Sequence, residues 1–251
     1  MAGLIGRLET IARERQPLVE QAKANLSNAQ ANRTGAVTSS LAGDLRLLAV
    51  AAFALAGDIE KFRSLLRESA LLRESLFDHF DAGEPVDESY VSMIAYKNLF
   101  DSLACADIDL ARRFAAKLGG RLGIEKRHDH KFIRAIGYAL KYVVLAPNDR
   151  AADAVATFSQ ECNAKGNSSY AGYAQCMKAV LDAEAVSFHQ GLEAILRNHK
   201  GLCSRGRMFD LTPDEIICTW GLGLTNLAAA RGLQVKVDHV YIPRALVNEW
   251  R

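Results

Sequence analysis

The chain has little proline, few aromatic residues and almost no net charge, and each shortage excludes a class of protein. Five prolines in 251 residues, among many alanines and leucines, favour an all-α protein. A formal net charge of +2 is too small for a protein that coats nucleic acid, and it also excludes a wholly acidic mimic of DNA. A hydrophobic content of 49% excludes intrinsic disorder.

The cysteines and the N-terminal residues predict neither a disulfide framework nor a secretory signal. Its cysteine count is odd and no CxxC pair occurs, which is typical of reduced, intracellular thiols. Charged residues begin at Arg7, so the N-terminus has no apolar core of a secretory signal. The longest apolar run, Leu47 to Ala56, is shorter than the ~20 residues of a membrane-spanning helix, and it predicts a helix buried on all sides. We therefore expect a cytoplasmic protein without membrane contact.

Helical periodicity dominates the remainder of the chain. We predict one domain, 1–251, built from ten to twelve helices in stacked antiparallel hairpins, with a short extended C-terminal segment. An Ala-rich helix repeatedly ends before an aspartate that caps the next helix. The predicted caps are Asp58, Asp107, Asp149 and Asp182. Two N-terminal helices, separated at Pro17 and covering residues 1–33, are expected to be more mobile than the rest.

The C-terminal part has the clearest boundaries. A single helix is predicted from Pro213 to Arg231, with Thr212 as its N-cap and Gly232 as its stop. After Gly232, apolar and polar residues alternate up to Pro243, which predicts an extended segment lying across the helices.

No catalytic motif occurs: GxGxxG, Walker, HExxH and nucleophile-elbow patterns are all absent. His128 and His130 flank Asp129, but their basic neighbours would oppose a cation. Cys203 follows His199 at a spacing that permits a nucleophilic pair, without an assigned orienting acid. We predict no enzyme, no metal and no cofactor, and keep a Cys- or metal-dependent enzyme as an alternative.

Charge is distributed unevenly along the chain. An acidic stretch without Lys or Arg contains Glu74, Asp78, Asp81, Glu84, Asp87 and Glu88. A basic stretch follows, with Arg112, Arg113, Lys117, Arg121, Lys126, Arg127, Lys131 and Arg134. Both stretches are compatible with ordinary solvated helix faces. The functional interpretation is a bipolar surface on which the acidic residues dock a charged protein partner. Direct nucleic-acid binding is not expected, because stacking aromatics are sparse there.

The C-terminal third, 180–251, carries a family resemblance. The Ala- and Leu-rich helix is followed by a GL-x-V-x-V segment and a Y-I-P-x-x-L close. Across about 180–247 this pattern resembles the immunity protein 49 family of bacterial polymorphic toxin systems. The matching residues are Gly232, Leu233, Val235, Val237, Tyr241, Pro243 and Leu246. Each is expected to be structural, and Tyr241 is the one expected to reach a partner.

The resemblance implies a cytoplasmic immunity protein. Such proteins bind a cognate toxin non-covalently in the producing cell and prevent self-intoxication. The toxins, nucleases among them, are delivered to neighbouring bacteria by contact-dependent or type VI secretion systems. The alternative from the hairpin pattern is a scaffold similar to tetratricopeptide repeat proteins, which recognise short peptides.

Overall fold

The computed structural model describes residues 2–28, 30–145 and 149–248, so residue 1 and residues 249–251 of the predicted domain lie outside it. Within these ranges the chain forms eleven α-helices and no strand, which confirms the all-α prediction. They are α1 (Ala2–Asn25), α2 (Ala36–Ala56), α3 (Ile59–Asp81), α4 (Tyr96–Ala104), α5 (Ile108–Lys117), α6 (Leu122–His128), α7 (Lys131–Leu145), α8 (Asp149–Cys162), α9 (Ala171–Asp182), α10 (Ala185–Leu202) and α11 (Thr219–Ala230).

Consecutive helices pack as hairpins, and three hairpin turns share one backbone device. The residue before the cap adopts left-handed φ at Gly57 (66°), Ala106 (62°) and Ala183 (56°). The carboxylates of Asp58 and Asp107 then accept hydrogen bonds from the N–H groups of Lys61 and Leu110, both at 2.9 Å. These two predicted caps are confirmed.

The other two predicted caps behave differently. Asp182 is the last residue of α9, and the N-cap position of α10 belongs to Glu184, so that prediction was wrong by two residues. The physical reason is that Ala183 adopts a left-handed conformation, which ends α9 and leaves the N-cap position to the next residue, Glu184. Asp149 is the first residue of α8, and the turn before it, 146–148, lies outside the described residues.

The predicted break at Pro17 does not occur, because α1 continues through it to Asn25. Pro17 is exposed, and Leu8 and Val19 on either side of it are buried. Val19 packs in a small cluster with Leu41, Leu45 and Leu48 of α2. Anchorage on both sides of the proline holds α1 in one piece.

The core is centred on α11, which is buried from Thr219 to Ala228. The Trp220 ring stacks on Phe100 of α4 at a centroid distance of 4.9 Å. Gly223 allows this approach, since a Cβ there would lie 3.0 Å from the Phe100 carbonyl oxygen. Asn226 donates to the carbonyls of Leu103 and Ala104 at the end of α4. Gly221 is similar, since a Cβ there would lie 2.8 Å from Ile242 Cδ1, so both glycines of this helix serve close packing.

The segment before α11 differs from the single predicted helix. A 3-10 turn at Pro213–Glu215 is followed by a break, and α11 starts only at Thr219. The Asp214 carboxylate accepts the Thr219 N–H and hydroxyl hydrogen bonds, so it caps α11 from outside. The predicted extended segment after Gly232 forms neither helix nor strand up to an isolated antiparallel bridge between His239 and Ile242, and its burial alternates, with Leu233 buried and Gln234 and Lys236 exposed.

Helix α2 contains the longest apolar run and lies between α1 and α3. Among the described residues it is the one helix long and apolar enough to cross a membrane, a test that core helices of soluble proteins also pass. The run is not buried on all sides as predicted: Leu55 is 42% exposed. Its end is open because a groove begins there.

Candidate binding groove

A groove of about 650 Å³ opens where the N-terminus of α1, the end of α2 and the end of α10 meet the extended segment. Most of its lining is apolar. The lining residues are Leu4, Ile5, Phe53, Ala54, Lys200, Cys203, Ser204, Glu215, Ile216, Ile217, Val240, Tyr241 and Pro243. The volume lies in the range of sites that hold a small molecule or a few side chains of a partner, about 300–1,000 Å³. We call it the apolar groove.

Tyr241, the residue predicted to reach a partner, lines the apolar groove. Its carbonyl accepts a hydrogen bond of 2.9 Å from Cys218 N–H at the start of α11. Its ring lies 4.5 Å from the His199 ring, centroid to centroid. The next residue, Ile242, is fully buried. The core therefore fixes the extended segment, and half-buried Tyr241 presents one edge to the groove.

Behind the groove lies a buried polar cluster around Asp214, which we call the Asp214 hub. Arg46 of α2 donates from Nη2 to the Asp214 carboxylate (2.6 Å) and to Thr219 Oγ1 (2.7 Å). Its Nε donates to Asp101 of α4 at 2.7 Å. Burial alone would lower the pKa of Arg46, but the carboxylates of Asp101 and Asp214 outweigh this effect and raise the pKa above its ordinary value. His199 Nε2 donates to the Asp214 carbonyl at 2.7 Å. The hub thus joins α2, α4, α10 and α11.

Glu215 connects the hub to the groove surface. Its carboxylate pairs with Arg7 of α1 and accepts the Leu211 N–H at 2.9 Å. Because Glu215 itself lines the apolar groove, this pair fixes the α1 wall and the preceding loop relative to each other.

Cys203 and His199 do come together, with Sγ 3.6 Å from Nε2. The contact is poorly suited to nucleophilic chemistry. His199 Nε2 carries the proton donated to the Asp214 carbonyl, so it is not free to take one from the thiol. Burial raises the pKa of Cys203 to about 12 and lowers the pKa of His199. A thiol with that pKa is protonated at neutral pH.

The histidine pair at 128 and 130 surrounds a structural aspartate. Buried Asp129 accepts hydrogen bonds from Ser92 Oγ and from the N–H groups of Met93 and Ile94, at 2.8–3.2 Å. His128 lies 3.3 Å from the Glu88 carboxylate. The described residues contain no group of three or more His, Cys, Asp or Glu side chains that could hold a metal ion.

The acidic residues predicted to dock a partner face the chain's own basic stretch. Lys117 lies 2.7 Å from Asp78 and 3.3 Å from Glu74, and Arg121 lies 2.6 Å from Asp81. Further along, Arg127 pairs with Glu88 at 2.6 Å, which lowers the pKa of that carboxyl. We call this set the α3 ladder. Three of its pairs, Asp78–Lys117, Asp81–Arg121 and Glu88–Arg127, are 39 or 40 residues apart in sequence, and Glu74–Lys117 is 43 residues apart. α3 lies beside α5, and α6 lies beside the 3-10 turn that contains Glu88.

The other two acidic candidates are engaged locally. Glu84 pairs with His79 at 2.9 Å. Asp87 accepts hydrogen bonds from the Ser89 N–H and hydroxyl at 2.8 and 2.6 Å, which lowers its pKa. All six predicted carboxylates therefore have an intramolecular partner, and a toxin that used them would have to compete with these contacts. Partner binding through them stays a prediction.

The residues that carry the family resemblance divide between three places. Tyr241 and Pro243 line the apolar groove. A second groove of about 800 Å³ lies under the extended segment and is lined in part by Gly232, Leu233, Val235 and Val237. Leu246 is fully buried. Gly232 ends α11 with φ 83°, which confirms its predicted role as a stop.

Several groove residues were not predicted from the sequence. Phe53 and Ala54 belong to the run expected to be buried, and Leu4 and Ile5 to the segment expected to be mobile. One signal was available: Asp44 and Arg46 interrupt the apolar helix α2. A charged side chain is tolerated in an apolar helix when it forms ion pairs, and Arg46 pairs with Asp101 and Asp214 at the centre of the hub.

No protein-family model, curated protein or solved structure matches this chain.

Proposed function

We propose that this protein is an immunity protein, which binds a cognate antibacterial toxin in the cytoplasm of the producer and neutralises it by non-covalent occlusion. The observation that supports the proposal most directly is the position of Tyr241 and Pro243. These residues of the family-like close line the apolar groove, next to Val240, which is 48% exposed. Two of the seven residues that carry the resemblance thus lie in this groove, and four line the second groove under the extended segment.

The physical form of the site suits protein binding. A tight complex buries about 1,200–2,000 Å² and concentrates its binding energy in a few anchors at the centre of the interface. The apolar groove is large enough for such anchors, and the Asp214 hub behind it keeps its walls in place before binding. Preorganisation of this kind lowers the entropic cost of association.

The test is co-expression with the toxin domain encoded by the adjacent gene. We expect the chain to restore growth of cells that express this domain and to co-purify with it as a stable complex. Val240→Asp should abolish protection, because it places a charge in the groove. Val186→Asp is the matched control: Val186 is 70% exposed at the opposite end of α10. A harmless neighbouring product that does not co-purify would overturn the proposal.

The hairpin architecture supports a second candidate, a peptide-binding scaffold. The repeated turn at Gly57, Ala106 and Ala183 and the separation of 39 or 40 residues in three pairs of the α3 ladder are features of stacked helical repeats. Binding of many short peptides, without one folded partner, would decide for it. The enzyme alternative predicts that Cys203→Ser removes the biological activity while the complex with the toxin domain still forms. The immunity proposal predicts that any loss of protection in this variant is matched by a loss of binding, because Cys203 lines the apolar groove.

A further inference from the structure

The last turn of α10 and the loop that follows it, beside the apolar groove, carry positive charge that the fold does not use. Lys200, Arg205 and Arg207 are exposed, and none of them has an ion-pair partner among the described residues. Asp210, the one acid in this loop, accepts the Gly206 N–H at 2.8 Å. In contrast, each carboxylate of the α3 ladder already faces a base. The unpaired charge of this region is therefore basic. Lys200 lines the groove, and Arg205 directly follows Ser204, which also lines it.

The same loop displays a large apolar side chain in a strained conformation. Leu211 is 75% exposed and has φ +56°, a left-handed value that costs a non-glycine residue about 1 kcal/mol. Two contacts hold the loop in this shape. Phe209 is buried against Trp220 at 4.9 Å between centroids, and the Leu211 N–H donates to Glu215. The strain is unnecessary for the core, since the Leu211 side chain points away from it.

We infer that residues 200–211, which we call the basic loop, and the apolar groove form one docking surface for an acidic segment of the toxin domain that carries an apolar anchor. The inference rests on the proposed function and specifies the chemistry of its partner. Glu215 makes the surface continuous, because it lines the groove and holds Leu211 at the same time. An acidic segment would pair with Lys200, Arg205 and Arg207, while its apolar side chains enter the groove at Tyr241 and pack on exposed Leu211. Charge of this kind chiefly accelerates association.

The first experiment measures association of the purified toxin domain with a charge-reversed variant, Lys200→Glu with Arg205→Glu and Arg207→Glu. We expect the association rate at low salt to fall at least tenfold, and the rate of the wild type to fall as salt rises. The matched control, Arg33→Glu with Lys126→Glu and Arg150→Glu, changes the net charge equally on exposed residues that do not line the groove. Its association rate should stay within twofold of the wild type.

The second experiment separates the anchor from the fold. Leu211→Gly removes the exposed side chain and relieves the left-handed backbone, so its melting temperature should equal or exceed that of the wild type. Its complex with the toxin domain should nevertheless dissociate about tenfold faster.

The outcomes separate the two proposals. In one outcome the wild type binds and protects, neither groove variant changes the association or dissociation rate, and Asp78→Lys with Asp81→Lys does change a rate. The docking surface is then wrong, and the immunity function stands. If the toxin domain does not bind the wild type at all, the proposed function itself fails. Binding of a DNA duplex to the wild type, in competition with the toxin domain, would overturn the proposal of an acidic protein partner. The basic loop would then bind the phosphates of a nucleic acid.

Discussion

Two sets of ion pairs hold this molecule together, and they differ mainly in burial. In the Asp214 hub the side chains of Arg46, Asp101 and Asp214 are 15%, 0% and 3% exposed. In the α3 ladder the carboxylate of Asp81 is 56% exposed and that of Asp78 is 61% exposed. The distances are similar, about 2.6–2.7 Å in both places. Glu74 is the exception in the ladder, since its side chain is only 7% exposed. For the pairs of Asp78 and Asp81, equal geometry does not mean equal contribution to stability, because solvent screens these pairs and not the hub.

The largest expected effect comes from removing the centre of the hub. Arg46→Met leaves two carboxylates, Asp101 and Asp214, buried without a cation, which costs about 3–5 kcal/mol of unfolding free energy. Denaturant unfolding monitored by Trp220 fluorescence measures the loss. The control is Arg67→Met, which removes an exposed pair with Asp107 at 2.8 Å and should cost about 0–1 kcal/mol. Equal losses of unfolding free energy in the two variants would contradict the conclusion that burial makes the hub pairs contribute more to stability than an exposed pair.

The hub also predicts a pH dependence through His199. Burial lowers the pKa of His199 in the folded protein below its ordinary 6.5, and its Nδ1 has no hydrogen-bond partner among the described residues. The folded state therefore holds a neutral imidazole, while the unfolded state gains a proton as the pH falls through about 6.5. Stability is complete above this pH and decreases below it.

The variant that checks this is His199→Gln, whose amide can still donate to the Asp214 carbonyl but does not titrate. Between pH 7.5 and 5.5 its unfolding free energy should fall less steeply than that of the wild type. The control is His130→Gln, since His130 is exposed and its loss should leave the wild-type slope unchanged. If the unfolding free energy of His199→Gln falls with pH as steeply as that of the wild type, groups other than His199 cause the pH dependence.

The same comparison shows which parts of the molecule the sequence predicts. The caps Asp58 and Asp107 act on N–H groups three residues away, so a local pattern is sufficient to find them. The stop at Gly232 and the alternation after it are local as well. The break expected at Pro17 was wrong because the contacts that keep α1 whole, at Leu8 and Val19, are with other parts of the chain.

The functional surface depends on longer separations. Arg46 and Asp214 are 168 residues apart, and Arg7 and Glu215 are 208 apart, so no local window brings them together. The apolar groove likewise joins Leu4, Phe53 and Tyr241, of which the family resemblance selected only Tyr241. The α3 ladder had a visible signal, since opposite charges recur about 40 residues apart, but that offset has meaning only when α3 and α5 are known to be neighbours.

The smallest expected effect concerns the ladder itself. A double-mutant cycle of Asp81→Asn and Arg121→Gln should give a coupling energy of about 0.2–1 kcal/mol, and 1 M NaCl should reduce it. Arg121 also lies over the Phe77 ring at 5.0 Å, a contact that the single variant Arg121→Gln removes and Asp81→Asn keeps. We therefore expect Arg121→Gln to cost more than Asp81→Asn, with the excess insensitive to salt. If the coupling energy instead approached that of the hub, solvent would not be screening the ladder, and burial would no longer explain the difference between the two regions.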